Sequence, residues 1–176
     1  VYEELILEDT ANFKNISIQK DISNGYFHKF SKNFLATKSN YSSFIFPTGL
    51  KFNKLDLEFN LEGENSECNL QAASMLQNGD HQEIKTRMNH FAPNCKSYQK
   101  VKNVLDLNSK GVYQGKVYVK DVAQKTDAYQ LSKAILLNEN SEFDSKPELE
   151  IYADDVKCSH GSTSGSIDQE SIYYLM

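Results

Sequence analysis

The chain has no tryptophan, and its 176 residues include only three prolines, three cysteines and eight glycines. So little Pro and Gly, beside ten Tyr and ten Phe, argues against a disordered chain and leaves ample aromatic surface for a core. Three cysteines, an odd number at irregular spacing, do not make a disulfide framework and fit a reducing, cytoplasmic setting. No apolar run approaches the ~20 residues of a membrane-spanning helix. A basic excess is missing too. The net charge of −5 has the wrong sign for a nucleic-acid or anionic-membrane surface. There is no glycine-rich phosphate loop, so ATP binding by this chain is not expected. The length suits one sizeable domain and is short for two. The chain opens on Val1 and closes on Met176 just as a new element begins, which reads as a piece of a longer protein. The missing leader therefore carries no message about compartment.

What the sequence does have is alternation. Leu55, Leu57, Phe59 and Leu61 alternate with Asp56, Glu58 and Asn60, the pattern of a half-buried strand. Weaker versions occur at Ile16/Ile18, Phe44/Phe46, Ile84/Thr86/Met88, Val117/Val119 and Leu149/Ile151/Ala153. Turn-forming clusters separate them: NGD at 78–80, NSK at 108–110 and NEN at 138–140. Convincing helices between strands are absent, which excludes the alternating strand–helix pattern of α/β folds. Residues 127–138 (DAYQLSKAILLN) suit a helix through Ala128, Leu131 and Ile135, and equally a strand through Tyr129, Leu131, Ile135 and Leu137. Only the closing SIDQESIYYLM reads as helical. Ser166 stands at the cap and Gln169 at the reciprocal capping-box position, with Ile167, Ile172 and Leu175 following. Many short strands without a strict internal repeat allow a sandwich, a barrel or a solenoid.

The stretch ELEIYADDVKCSHG (148–161) carries the most chemistry. On an extended segment Cys158 and His160 share a face, roughly 6–7 Å apart at the backbone. Thiolate and imidazole suit the same soft-to-borderline metals, so the pair supplies half of a metal site. The plain alternatives are an exposed histidine and a small buried cysteine. Asp154 and Asp155, adjacent on an extended chain, point to opposite faces and cannot readily converge on one substrate bond, so a solvated turn is their simpler use. His90 and Cys95 flank FAPN, where Pro93 argues for a turn, and have no companions at zinc-like spacing; a structural role is expected. Cys68 alternates with Leu70 and Ala72 and reads as core. His28 and His81 stand in polar surroundings and carry no functional message.

Three stretches resemble the SufB/SufD family of iron–sulfur cluster assembly proteins, within it the SufD branch. They are GVYQGKVYVKDVAQKTDAYQ (111–130), LLNENSEFDSKPELEIYADDVKCSHGSTSG (136–165) and the closing IDQESIYYL, with RMNHFAPNC (87–95) in support. The resemblance covers roughly residues 84–176; residues 1–80 share only the strand-rich texture. It implies an all-β fold, a right-handed parallel β-helix over 1–165, with 166–176 as the start of a truncated C-terminal helical region. It also turns 127–138 into a strand, with Tyr129, Leu131, Ile135 and Leu137 as one face.

For function, the resemblance implies a non-enzymatic scaffold subunit. Its partners would be a SufB-like paralogue, forming a heterodimer, and a SufC-like ABC ATPase docked on the helical region. A nascent iron–sulfur cluster or iron would be held transiently at the partner interface, with none bound tightly by this chain alone. His160 matches the histidine at that interface and Cys158 the neighbouring cysteine, so these two are the expected cofactor and metal ligands. Ser162 departs from the usual pattern, where alanine is common. Two other readings stay open. One is the SufB role, or a homodimeric scaffold, in the same system. The other is a β-helix acting on polysaccharides, which the scattered acids disfavour.

Overall fold

A computed structural model describes residues 1–20, 25–166 and 173–174. Twelve strands follow one another: β1 Tyr2–Leu7, β2 Asn12–Lys20, β3 Tyr26–Leu35, β4 Asn40–Thr48, β5 Phe52–Leu61 and β6 Glu67–Leu76, then β7 His81–His90, β8 Lys96–Leu105, β9 Lys110–Val119, β10 Asp127–Leu136, β11 Glu142–Ile151 and β12 Lys157–Ser166. Odd-numbered strands form one six-stranded sheet and even-numbered strands another, each in sequence order, and every pairing is parallel. The chain therefore winds as a β-solenoid of about six turns, one strand of each sheet per coil. The segment 127–138 forms strand β10 over Asp127–Leu136, as the resemblance implied. The turns expected at 78–80 and 138–140 lie between strands, and that at 108–110 runs into Lys110, the first residue of β9.

The coil length is not constant, and this hides the repeat from the sequence. Tyr26 stands opposite Phe52, 26 residues on, whereas Lys110 stands opposite Glu142, 32 residues on. Corners absorb most of the difference, from three residues (49–51) to seven (120–126), while every strand from β5 onward keeps ten. The corners leading from the odd sheet to the even one share a device. Thr10, Lys38, Asn65, Asn94 and Lys125 all adopt left-handed backbone, with φ between 56° and 62°. Each donates its amide to a carbonyl of the next coil's corner: Thr37, Glu64, Pro93, Gln124 and Asp155 in turn. A strained conformation is thus repaid five times by a hydrogen bond that joins successive coils.

Inward side chains of β5, β7 and β9 make the apolar core, with Leu55, Phe59, Leu61, Ile84, Met88, Val117 and Val119 buried. The patterns over Leu55–Leu61, Ile84–Met88 and Val117–Val119 face inward as expected. Three others have the right period and the opposite phase. Ile16 and Ile18 are 63% and 66% exposed, and Phe44 also faces out, while Tyr41, Ser43 and Ile45 are buried. In β10 the shared face of Tyr129, Leu131, Ile135 and Leu137 is the outer one, and Ala128, Gln130, Ser132 and Ala134 line the interior. A lumen between two closely facing sheets holds small and hydrogen-bonded polar side chains along much of the even sheet, so the bulkier apolar residues turn outward. In the last coil Leu149 is half-buried, Ile151 faces solvent at the end of β11, and Ala153 is buried in the corner.

The helix expected over 166–176 lies mostly outside the described residues. Ser166 is the last residue of β12, and Tyr173 and Tyr174 are helical and exposed. Among the described residues no helix is long and apolar enough to cross a membrane.

Candidate functional site

β11 and β12 form the last described coil: among the described residues β11 pairs with β9 and β12 with β10, and neither has a strand on its other edge. The corner between them holds Asp154 and Asp155 as an exposed bend, in keeping with a solvated turn. Gln124 Oε1 accepts from the Asp155 amide at 2.9 Å, and Thr126 O accepts from the Lys157 amide at 2.8 Å, which sets where β12 begins. Phe91, Tyr118 and Tyr152 stack down the same side of the molecule, with ring centroids 6.0 Å and 5.8 Å apart.

Cys158 and His160 do share a face, the inward one. Cys158 is in register with buried Ala128 and His160 with buried Gln130, one coil back. Among the described residues no strand pairs with β12 on the side away from β10. Cys158 is consequently only half-buried, packed against the core, and His160 is exposed. Burial pushes the Cys158 thiol above its usual range, opposed by a hydrogen bond from the Ala128 backbone. Binding a metal there would release that proton. Ser162 continues the face: Ser132 Oγ lies 3.0 Å from Ser162 Oγ and 2.8 Å from Ser145 Oγ. The serine that departs from the resemblance therefore has a hydrogen-bonding place.

Beneath His160 runs a polar column that the sequence reading did not single out. The Tyr113 hydroxyl lies 3.2 Å from Gln99 Oε1 and 3.3 Å from Gln130 Oε1, and Thr86 Oγ1 also donates to Gln99 Oε1. Gln130 Nε2 donates to the Glu148 carbonyl at 3.3 Å. Burial pushes Tyr113 up to about 12, so it stays a neutral donor. Gly115 makes room for this network. A Cβ there would lie 2.1 Å from Gln130 Oε1 and 2.4 Å from the Tyr113 hydroxyl. The signal in the sequence was a run of inward positions occupied by Thr, Gln, Tyr and Gly, legible only once the phase of each strand is known.

The remaining candidates are brought nowhere near Cys158 and His160 as ligands. His90 is fully buried, its Nε2 2.9 Å from Ser97 Oγ, and burial lowers its pKa to about 4. Cys95 is buried at the Pro93 turn and donates to the Gly63 carbonyl at 3.3 Å. Cys68 is buried beside Leu70 and Ala72. His28 meets Asp56 at 2.6 Å and His81 meets Glu83 at 3.1 Å, both on the outer face of the odd sheet. Among the described residues no three His, Cys, Asp or Glu side chains gather as a metal-sized group. Cys158 and His160 can give at most two ligands, and they stand two residues apart on the inward face of β12.

Comparison with known proteins matches residues 2–176 to the family described as SUF system FeS cluster assembly, SufBD core domain. The chain belongs to the SufBD core family. It is 39% identical to the iron–sulfur cluster assembly protein SufD of Escherichia coli over 115 residues, 65% of this chain and 27% of that protein. It is 26% identical over 175 residues to the iron–sulfur cluster assembly SufBD family protein slr0076 of Synechocystis, 99% of this chain and 39% of the relative. A third relative, protein ABCI7, chloroplastic, of Arabidopsis thaliana, is 27% identical over 173 residues, 98% of this chain and 36% of that protein. The chain thus spans between about a quarter and two fifths of these relatives. The parallel β-helix implied by the sequence resemblance is the fold that this SufBD core domain has.

Proposed function

We propose that this SufBD core is the scaffold part of a SufD-like, non-catalytic subunit of the SUF iron–sulfur assembly system, working in the cytoplasm. The observation that carries the reading is the position of Cys158 and His160, side by side on the inward face of β12, the strand that among the described residues has a partner on one edge alone. A SufB-like paralogue would pair edge-to-edge with β11 and β12, continuing both sheets across the interface. Cys158 and His160 would then supply thiolate and imidazole from one side, with the partner supplying the rest. An incomplete ligand set suits a site that must pass its cluster or iron on as cargo. A SufC-like ATPase would join through the helical region expected to begin at 166–176. The free edges would equally accept a second copy of this chain, which is the homodimeric alternative.

The test is coexpression of the full-length protein with SufB-like and SufC-like partners, as wild type, His160→Ala and Cys158→Ala. Iron and acid-labile sulfide are measured per purified complex. Assembly retained with cluster content collapsed in His160→Ala supports the shared site. Unchanged content in both variants sinks it, and failure to associate with the SufB-like partner sinks the subunit assignment.

A further inference from the structure

The outer face of the odd sheet is laced with ion pairs, most of them between coils. Lys29 meets Glu3 at 2.8 Å, Lys54 meets Glu83 at 3.0 Å, and Lys110 meets both Glu142 and Asp144 at 3.0 Å. Lys116 pairs with Glu150, Lys146 with Glu148 at 2.6 Å, and Lys32 lies over the Phe34 ring. Two exposed cations on this face depart from the scheme. Lys85 and Arg87 of β7 have no carboxylate within ion-pair distance among the described residues. They lie in register with Gln114 and Lys116 of β9, which in turn face Lys146 and Glu148 of β11.

These six side chains line a cavity of about 180 Å³, with four cations against one carboxylate. Like charges crowded on neighbouring strands cost stability unless something offsets them. Glu148 and Glu150 feel the excess, each held below the usual carboxylate range, first by its hydrogen bond to Lys146 or Lys116. On the other side Asp56 and Glu58 stand in register with Lys85 and Arg87 and line a second hollow with them, but neither makes an ion pair with them: Asp56 meets His28 at 2.6 Å and the Asn89 amide lies 3.5 Å from Glu58.

One further observation is independent of this geometry. Arg87 is the only arginine among the chain's nineteen basic side chains. Everywhere else a lysine suffices. Guanidinium differs from ammonium in its planar fork of donors, which matches a phosphate or carboxylate group through two parallel hydrogen bonds.

We propose that this pocket binds a small oxyanion, a phosphate or carboxylate group held by the fork of Arg87 and the ammonium group of Lys85, with Lys116 and Lys146, already paired to Glu150 and Glu148, at its rim. The inference stands on the pocket alone and is separate from the iron–sulfur reading. To test it, inorganic phosphate and citrate are titrated into the ¹⁵N-labelled protein, with chloride matched for ionic strength. The proteins compared are wild type, Arg87→Gln, Arg87→Lys and, as a control on the opposite sheet, Lys133→Gln. We expect saturable shifts confined to amides around 85–87, 114–116 and 146–148. Affinity should fall at least about tenfold in Arg87→Gln, by less in Arg87→Lys, and not at all in Lys133→Gln. A response to phosphate alone or citrate alone sustains the site and names its class. The proposal is overturned if neither anion gives saturable shifts, if chloride reproduces them, or if Arg87→Gln and Lys133→Gln weaken binding alike.

Discussion

The middle coils and the last coil use the same residue types on the same inward face and turn them into different chemistry. Cys68 and Cys158 sit on one row of the even sheet, separated by Ser97 and Ala128. Cys68 has coils on both sides and is 1% exposed; Cys158 has a coil on one side only and is half-buried. His90 and His160 differ in the same way, one enclosed and neutral, the other open to solvent. In a stack, whether an inward side chain is enclosed or exposed depends on whether coils pack on both of its sides or on one.

The contrast breaks most sharply at glycine. Gly115→Ala should cost about 3 kcal/mol or more, since the methyl would collide with Gln130 and Tyr113 and neither can leave the network without losing a buried partner. Gly165→Ala in the last coil meets nothing within 4 Å and should be neutral or stabilising by about 0.5 kcal/mol. Denaturant unfolding of the two variants measures the difference; equal costs would mean that the end coil is as tightly enclosed as the middle.

The histidines sharpen the comparison through pH. His90 binds its proton less readily folded than unfolded, so the unfolded chain takes up more protons between about pH 4 and 6.5. The stability due to its neutral burial is complete above that window and lost as pH falls through it, on the order of 3 kcal/mol in all. Unfolding followed from pH 7 to 4 should show this slope in wild type and in His160→Ala, and lose it in His90→Gln.

A third contrast is kinetic. A small thiol reagent at mildly alkaline pH should modify Cys158 in the native protein, with Cys68 and Cys95 reacting only after unfolding. Mass spectrometry of the native, labelled chain should find one adduct; two or three would contradict the enclosure of the middle coils. The smallest effect belongs to His160→Ala itself, which should move stability by less than about 0.5 kcal/mol because its ring is exposed. A larger loss would make His160 a structural residue.

Much of this arrangement was legible in the sequence, and the part that was not has a physical reason. Leu55 to Leu61 declared a strand and its buried face, because in β5 the apolar side chains do point to the lumen. Cys68 read as core, His90 and Cys95 as structural, and Cys158 with His160 as sharing a face, all from period and local turn chemistry. Phase was the failure. Ile16, Ile18, Phe44 and Ile135 alternate as a core would and face outward, since the interior of the even sheet is filled by Ser, Ala and Gln instead. The odd-sheet pocket was invisible for another reason: Lys85, Gln114 and Lys146 meet across coil steps of 29 and 32 residues, which no fixed repeat length brings together.

The column of left-handed corners from Thr10 to Lys125 bears on how such a chain tolerates change in length. Strands that hold ten residues from β5 onward and corners of three to seven divide the molecule into segments that count and segments that do not. One residue inserted within β8 would turn every later side chain of that strand inside out. The same insertion between Lys120 and Thr126 would enlarge a bulge and leave the register of β10 untouched, because the hydrogen bond from Lys125 to Asp155 restarts the alignment of each coil. Gains and losses of residues among descendants of this sequence should therefore collect at the corners, where length drifts freely while the strands between them keep time.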